Sequence, residues 1–291
     1  MTHSIYNVVM ATLGVFGTST ALAQGSLSYQ AQSGSDDYVL HALSASLNRS
    51  SWWTSLYPAG GYAGSSEVNQ SWATSVGGQV SERLTMDVSA GQNKDTSLAI
   101  DEFTLGGEWL PPMQWVAGAP LRLGVRWGFA DYSLRNNALA AANRLPDQYH
   151  WGLTASLPVT ATTAISLRSQ WSRYTVDPVA MAAQLLQRKR PKVNAAMNLA
   201  DFAATEHRLG VDWLTDKQWH WALGGSYGQT VLGQSQRTLD AALEVPWSAD
   251  TTLGLSIQHA QSDAVLRTNG QVAIPYQTSN SLSLNWSWGW K

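Results

Sequence analysis

The residues able to do chemistry in this chain are charged side chains set at even spacing. Arg122 and Arg126 flank Gly124 in LRLGVRWGFADY, Glu102 and Glu108 share one parity, and Glu206, Arg208 and Asp212 share another stretch. Even spacing puts side chains on one face of an extended strand. With Arg83, Asp87, Arg168, Asp240 and Glu244, these groups read as one charged wall whose signs nearly balance. Such a wall either pairs internally, as charges withdrawn from water must, or leaves a mixed-charge constriction that screens solutes by size and sign.

Other chemistries find less support. Nucleophilic catalysis needs a base within hydrogen-bond reach of a hydroxyl, and each His is isolated in the sequence. His207 and His259 fall at positions expected to face lipid near an outer rim, where an interfacial hydrolase would place its base, but no local motif accompanies them. No phosphate-binding glycine loop or clustered metal-ligand set is present. The chain has no Cys, so it has no disulfide, thiolate metal site or lipidated cysteine. A net charge of -2 leaves no basic footprint for nucleic acid. No cofactor is expected, and the chain reads as a non-enzyme with an interfacial lipid-modifying enzyme as the minor alternative.

The elements that carry these charges are strands. Stretches of about ten residues alternate apolar with polar or small residues, the pattern of a wall with lipid on one side and a lumen on the other. Leu121, Leu123, Val125, Trp127 and Phe129 share one face, while Arg122, Gly124, Arg126, Gly128 and Ala130 share the other. QWHWALGGSYGQ and SLSLNWSWGW divide the same way. About twelve such strands are predicted, beginning near Tyr38, Gln70, Arg83, Ala99, Leu121, Gln148, Thr162, Thr205, Gln218, Arg237, Thr251 and Asn280. Short links near Ser81, Pro158, Thr215 and Ser248, with a longer member of the same set over 111–120, alternate with mostly longer and more polar ones over 50–69, 133–147, 175–204 and 262–279. This suggests periplasmic turns, external loops and both termini on the periplasmic side. No segment approaches the roughly 20 apolar residues of a spanning helix, and a closed barrel is the other structure that satisfies its backbone in lipid.

An apolar run from Val8 to Phe16, followed by small residues ending in Ala21-Leu22-Ala23, reads as a signal peptide over 1–23. Residues 24–37 are then expected as a short periplasmic segment and 38–291 as the barrel. The 15 Trp fit aromatic rings collected at the water–lipid boundaries, with Trp109, Trp213, Trp219, Trp247 and Trp288 near one set of strand ends and Trp127, Trp151 and Trp171 near the other. Trp52, Trp53 and Tyr57 are expected at the lipid boundary of the first external loop. The stretch PVAMAAQLLQRKRPK has helical character followed by a basic run, suited to a gate or to lipopolysaccharide phosphates.

The final strand, with Trp286, Trp288 and Trp290 alternating, resembles the ending of Gram-negative outer-membrane β-barrels, which the barrel assembly machinery reads. Lys291 after the last aromatic and Asn285 depart from that pattern. The resemblance covers the mature chain and implies an all-β, antiparallel up-and-down transmembrane barrel of porin-like type. It also implies an outer-membrane location and contact with outer-membrane lipids and lipopolysaccharide. The function expected is a channel passing or exporting small polar solutes, lined by Arg122, Arg126, Arg168, Arg208, Glu102, Glu108, Glu206 and Asp212. A closed barrel acting as a scaffold through its external loops is the alternative. The small residues Gly224, Ser226, Gly228, Gly254, Ser256, Ala260, Ser283, Ser287 and Gly289 suggest an open side of the bore. Weakly apolar outward positions such as His41 and Ala45 allow an oligomer contact.

Overall fold

The computed structural model describes residues 24–34, 38–49, 51–63, 66–95, 98–112, 120–134, 147–181, 202–266, 272–274 and 276–290. Fourteen strands close into one antiparallel ring. They are β1 (Gln24–Ser33), β2 (Tyr38–Arg49), β3 (Trp52–Ala63), β4 (Ser66–Ser81), β5 (Leu84–Asp95), β6 (Leu98–Trp109) and β7 (Arg122–Leu134). The ring continues through β8 (Gln148–Pro158), β9 (Thr163–Tyr174), β10 (Ala203–Leu214), β11 (His220–Thr230), β12 (Ser235–Pro246) and β13 (Thr251–Ser262). β16 (Gln277–Trp290) closes it against β1, while β14 (Val265–Leu266) and β15 (Val272–Ile274) form a small hairpin within the last link. Ring neighbours are consecutive in sequence apart from that hairpin, so the topology is up-and-down and leaves no open strand edge.

Two strands correct the expected count of twelve, each for a physical reason. β1 alternates Leu27, Tyr29 and Ala31 with Ser26, Ser28, Gln30 and Gln32, a weak apolar face, and occupies residues expected to lie outside the barrel. β3 holds Pro58 and the Gly60-Gly61 pair, which read as breakers in a sequence. Its ladder with β2 runs from Tyr38↔Ala63 to Ala42↔Ala59 and resumes at Ala45↔Leu56, stepping over Pro58, whose nitrogen carries no hydrogen to donate. The stretch expected as the first external loop, 50–69, therefore holds β3 and the start of β4. Consequently β2 runs in the opposite direction to the one its sequence suggested.

Gly25 pairs with Trp290, so the described chain enters and leaves at one end of the ring. At that end most links are short, as at Ser81–Leu84, Pro158–Thr163 and Pro246–Thr251, where the Trp247 amide donates to the Thr251 carbonyl at 2.8 Å; the link over 110–121 after β6 is the exception. The longest links, after β7, β9 and β13, all lie at the other end. In the link after β9, residues 178–181 begin a helical turn whose Val179 amide donates to Asp177 Oδ1 at 2.9 Å. The basic run at 188–192 and the segment expected as a signal peptide over 1–23 lie outside the described residues.

Candidate functional site: the inner wall

Because successive side chains alternate across a strand, each strand presents one parity outward and the other inward. The apolar parity is the exposed one: Leu239 is 66% exposed and Val125 62%, whereas Thr104 and His150 on the opposite parity are 5% and 6% exposed. The apolar rows therefore form the convex outer surface. Trp127, Trp151 and Trp171 are consecutive register partners across β7, β8 and β9, making one aromatic row on that surface. At the end bearing the termini, Trp213 stacks on Trp221 with ring centroids 5.9 Å apart.

The register sets Arg122, Arg126, Arg168, Arg208, Glu102, Glu108, Glu206 and Asp212 on the concave face, together with Asp87, Asp240 and Glu244. All belong to the arc from β5 to β12. Most are held in pairs, and three of these pairs reach over an intervening strand at a glycine. Arg126 on β7 lies 3.6 Å from Asp87 on β5, and both are register partners of Gly106 on β6. A Cβ on Gly106 would collide with the Asp87 carboxylate. His150 Nε2 on β8 lies 3.4 Å from Glu102 Oε1 on β6, with the imidazole lying across Gly128 of β7. Arg208 on β10 donates to Asp240 on β12 at 2.6 Å, and a Cβ on Gly224 of β11 would meet both groups.

Gly106, Gly128 and Gly224 thus make room for these contacts. Gly224, expected to help open one side of the bore, sits beneath Arg208 and Asp240. Two further sets complete the arc: Arg122 donates to Glu108 at 3.2 Å, and His220 stands between Asp212 at 3.5 Å and Glu244 at 3.3 Å. Arg168 differs. It donates to Gln170 Oε1 at 2.7 Å, and among the described residues neither it nor Glu206 has an ion-pair partner within 4.0 Å. Arg168 shares a small recess of about 170 Å³ with Asp87, Glu108, Arg126, His150 and Gln170.

The rest of the wall has another chemistry: Ser256, Ser283 and Ser287 on β13 and β16 were among the small residues expected to line an open side, while the contribution of β1 and β3 was missed by sequence reasoning. Inward positions of β1, β13 and β16 are largely hydroxyls and amides, β2 and β4 add Ser44, Ser46, Asn48, Asn69, Ser71 and Ser75, and β3 adds Ser55 beside Trp53 and Tyr57. Ser26 bonds Ser46 at 2.7 Å, Ser28 bonds Ser44 at 2.7 Å, and Ser55 bonds Ser75 at 2.5 Å. The signal was the Ser-x-Ser parity of β1, legible once its apolar partners are read as an outer face. Trp53 is also inward, its indole 2.6 Å from where a Cβ on Gly77 would stand. This corrects its expected place in an external loop. Trp52 is the outward member of that pair and is 41% exposed, at the end bearing the termini.

On the outer surface, His207 is less isolated than its sequence context suggested. Its Nδ1 lies 3.0 Å from Ser169 Oγ, and Trp171 meets the ring edge-on at 5.9 Å. Among the described residues no carboxylate lies within ion-pair distance of His207 to orient its other nitrogen. His259 Nδ1 instead contacts Asn280 Oδ1 at 2.7 Å.

No family model and no curated protein sequence matches the chain. Solved structures similar to it include a KdgM porin, 7% identical over 91% of this chain and 99% of that one, with a TM-score of 0.46. A bacterial polysaccharide outer membrane secretin is 9% identical over 93% and 99%, with a TM-score of 0.49. OprD of Pseudomonas aeruginosa is 8% identical over 92% and 94%, with a TM-score of 0.45. The closed antiparallel barrel stands on this chain's own strand register.

Proposed function

We propose that this barrel is an outer-membrane channel for small polar solutes, with its termini on the periplasmic side after removal of the signal sequence over 1–23. The observation that carries this reading is the division of the wall into an apolar outer surface and a polar inner one. A buried apolar core would give the reverse. The expected lining residues Arg122, Arg126, Arg168, Arg208, Glu102, Glu108, Glu206 and Asp212 then form one arc of the lumen, and the serine-rich strands form the other. A solute in such a bore meets hydroxyl donors and acceptors on one side and mostly paired charges on the other, with Arg168 and Glu206 outside those pairs. That combination favours uncharged, hydrogen-bonding solutes over strongly charged ones. Carboxylates outnumber guanidinium groups on the charged arc, so residual ion flow is expected to favour cations. In the same reading, Trp286, Trp288 and Trp290 serve recognition by the barrel assembly machinery.

The test is single-channel conductance of refolded protein in a planar bilayer. Steady conductance with weak cation preference supports the channel. A folded barrel that inserts and stays silent overturns it.

A further inference from the structure

Gly106, Gly128 and Gly224 lie beneath side chains, but Gly152 on the same arc is uncovered: a Cβ there would find only the Ser169 carbonyl oxygen, at 3.4 Å. The register walls this gap on four sides. His150 and Thr154 precede and follow it on the inner face of β8, Arg126 is its partner on β7 and Gln170 its partner on β9. Arg168, the β9 partner of Thr154, stands one inward step from Gln170. These residues enclose the recess of about 170 Å³ on the inner wall, and its charges are sorted by strand. The carboxylates Asp87 and Glu108 come from β5 and β6, the guanidinium groups of Arg126 and Arg168 from β7 and β9. Neither arginine is saturated. Arg126 stands 3.6 Å from Asp87, beyond hydrogen-bond length, with its side chain 50% exposed. Arg168 makes one hydrogen bond among the described residues, to the neutral Gln170 Oε1 at 2.7 Å, although a guanidinium carries several N–H donors.

We infer that this recess seats a small zwitterion of the amino-acid class, its carboxylate over Gly152 between Arg126 and Arg168 and its ammonium toward Asp87 and Glu108. The inference rests on the channel reading and names the solute that the charged arc selects. Two carboxylates and two guanidinium groups cancel in formal charge. An anion drawn by the arginines is therefore repelled by the acids, and a cation meets the reverse. An uncharged solute gains from neither set. A solute that is neutral overall but carries separated charges gains from both when it lies along the direction from β5 to β9. The guanidinium fork matches a carboxylate through two parallel hydrogen bonds, and the missing side chain at residue 152 lets that group approach the wall. The volume corresponds to about six waters at liquid density, the scale of one amino acid rather than of a peptide chain or an oligosaccharide. Contact with lumen water keeps the seat shallow in energy, and a conducting pore needs binding strong enough to admit a solute and weak enough to release it.

The experiment is osmotic swelling of liposomes that contain the full barrel, comparing alanine with lactamide, an isomer built from the same atoms without the charges. The wild type is expected to pass alanine about two- to fivefold faster, the scale of an exposed ion pair. Arg168→Gln is expected to bring the alanine-to-lactamide ratio close to unity. Gly152→Val, which fills the seat without removing a charge, is expected to do the same. Arg122→Gln/Glu108→Gln, which takes the β6 carboxylate away together with its partner, is expected to lower the ratio by weakening the ammonium contact. Alanine entering the wild type no faster than lactamide, or a ratio that either charge variant leaves unchanged, overturns the proposal. The two readings fail differently. Equal swelling in both isomers sinks only the zwitterion seat, whereas a folded barrel whose liposomes swell in neither sinks the channel and the seat with it.

Discussion

The indole of Trp290 lies over Gly25, its register partner across the seam between the last strand and the first. A Cβ at residue 25 would fall inside that ring. Gly25→Val should therefore displace Trp290 at the pairing that closes the barrel, at a cost of about 1–3 kcal/mol, the range for overpacking. The measurement is a urea unfolding midpoint, with gel mobility of unheated samples as a check on closure. An unchanged midpoint would show that the seam tolerates the displacement.

Replacing Gly224 by Val tests the glycine troughs. The new side chain occupies the space of the Arg208–Asp240 contact, so both charges lose their partner together. Breaking such a pair within the wall is expected to destabilise the barrel by about 1–3 kcal/mol once its partial exposure to lumen water is discounted. Gly152→Val, whose Cβ position has only a carbonyl oxygen 3.4 Å away, serves as the comparison and should cost less. Equal losses at both sites would remove the trough argument.

Arg168 and Arg208 are register partners on the inner wall, yet only Arg208 holds a carboxylate. Arg168→Gln is expected to raise cation preference, and Arg208→Gln to do so as well because it unmasks the Asp240 carboxylate, whereas Arg208→Gln/Asp240→Asn is expected to change it little. Reversal potentials in a salt gradient report this directly. A large shift in the double variant would mean that the Arg208–Asp240 contact does not persist in the membrane.

Ile257 and Ser256 are neighbours in β13 on opposite faces. Arg at position 257 should cost about 2–4 kcal/mol if that residue lies near the bilayer midplane, while Arg at 256 should be tolerated. Folding yield into liposomes and denaturant titration measure both. Comparable penalties would contradict the assignment of outer and inner faces.

The fold was legible wherever strands pair a strong apolar row with small or charged residues. β7 in LRLGVRWGFADY and the strand ending in Trp290 have the faces their alternation predicts. β1 was missed because Leu27, Tyr29 and Ala31 are a modest apolar row, and β3 because Pro58 argues locally against a strand. Neither residue set reveals that a neighbouring strand supplies the missing hydrophobic contact. The parity of the eight expected lining residues followed from spacing, but their partners did not. Asp87 and Arg126 meet across an entire strand, and only the register of three strands brings them to Gly106. The contact between Ser169 and His207 was hidden for the same reason, since it joins β9 to β10 across a long link.

Those second-neighbour contacts also solve an alignment problem. Apolar alternation penalises a strand that slips by one residue, because every side chain would change face. A slip by two leaves the alternation intact and goes unpunished by lipid. Charge detects it: moving β6 by two places against β5 would set Asp87 opposite Glu108 in one direction, two carboxylates side by side, and opposite Thr104 in the other. Either shift also takes Gly106 from beneath the Asp87–Arg126 contact. The glycine-spanned pairs thus act as a vernier on the stave-like strands, reading the even-numbered offsets to which hydrophobicity is blind.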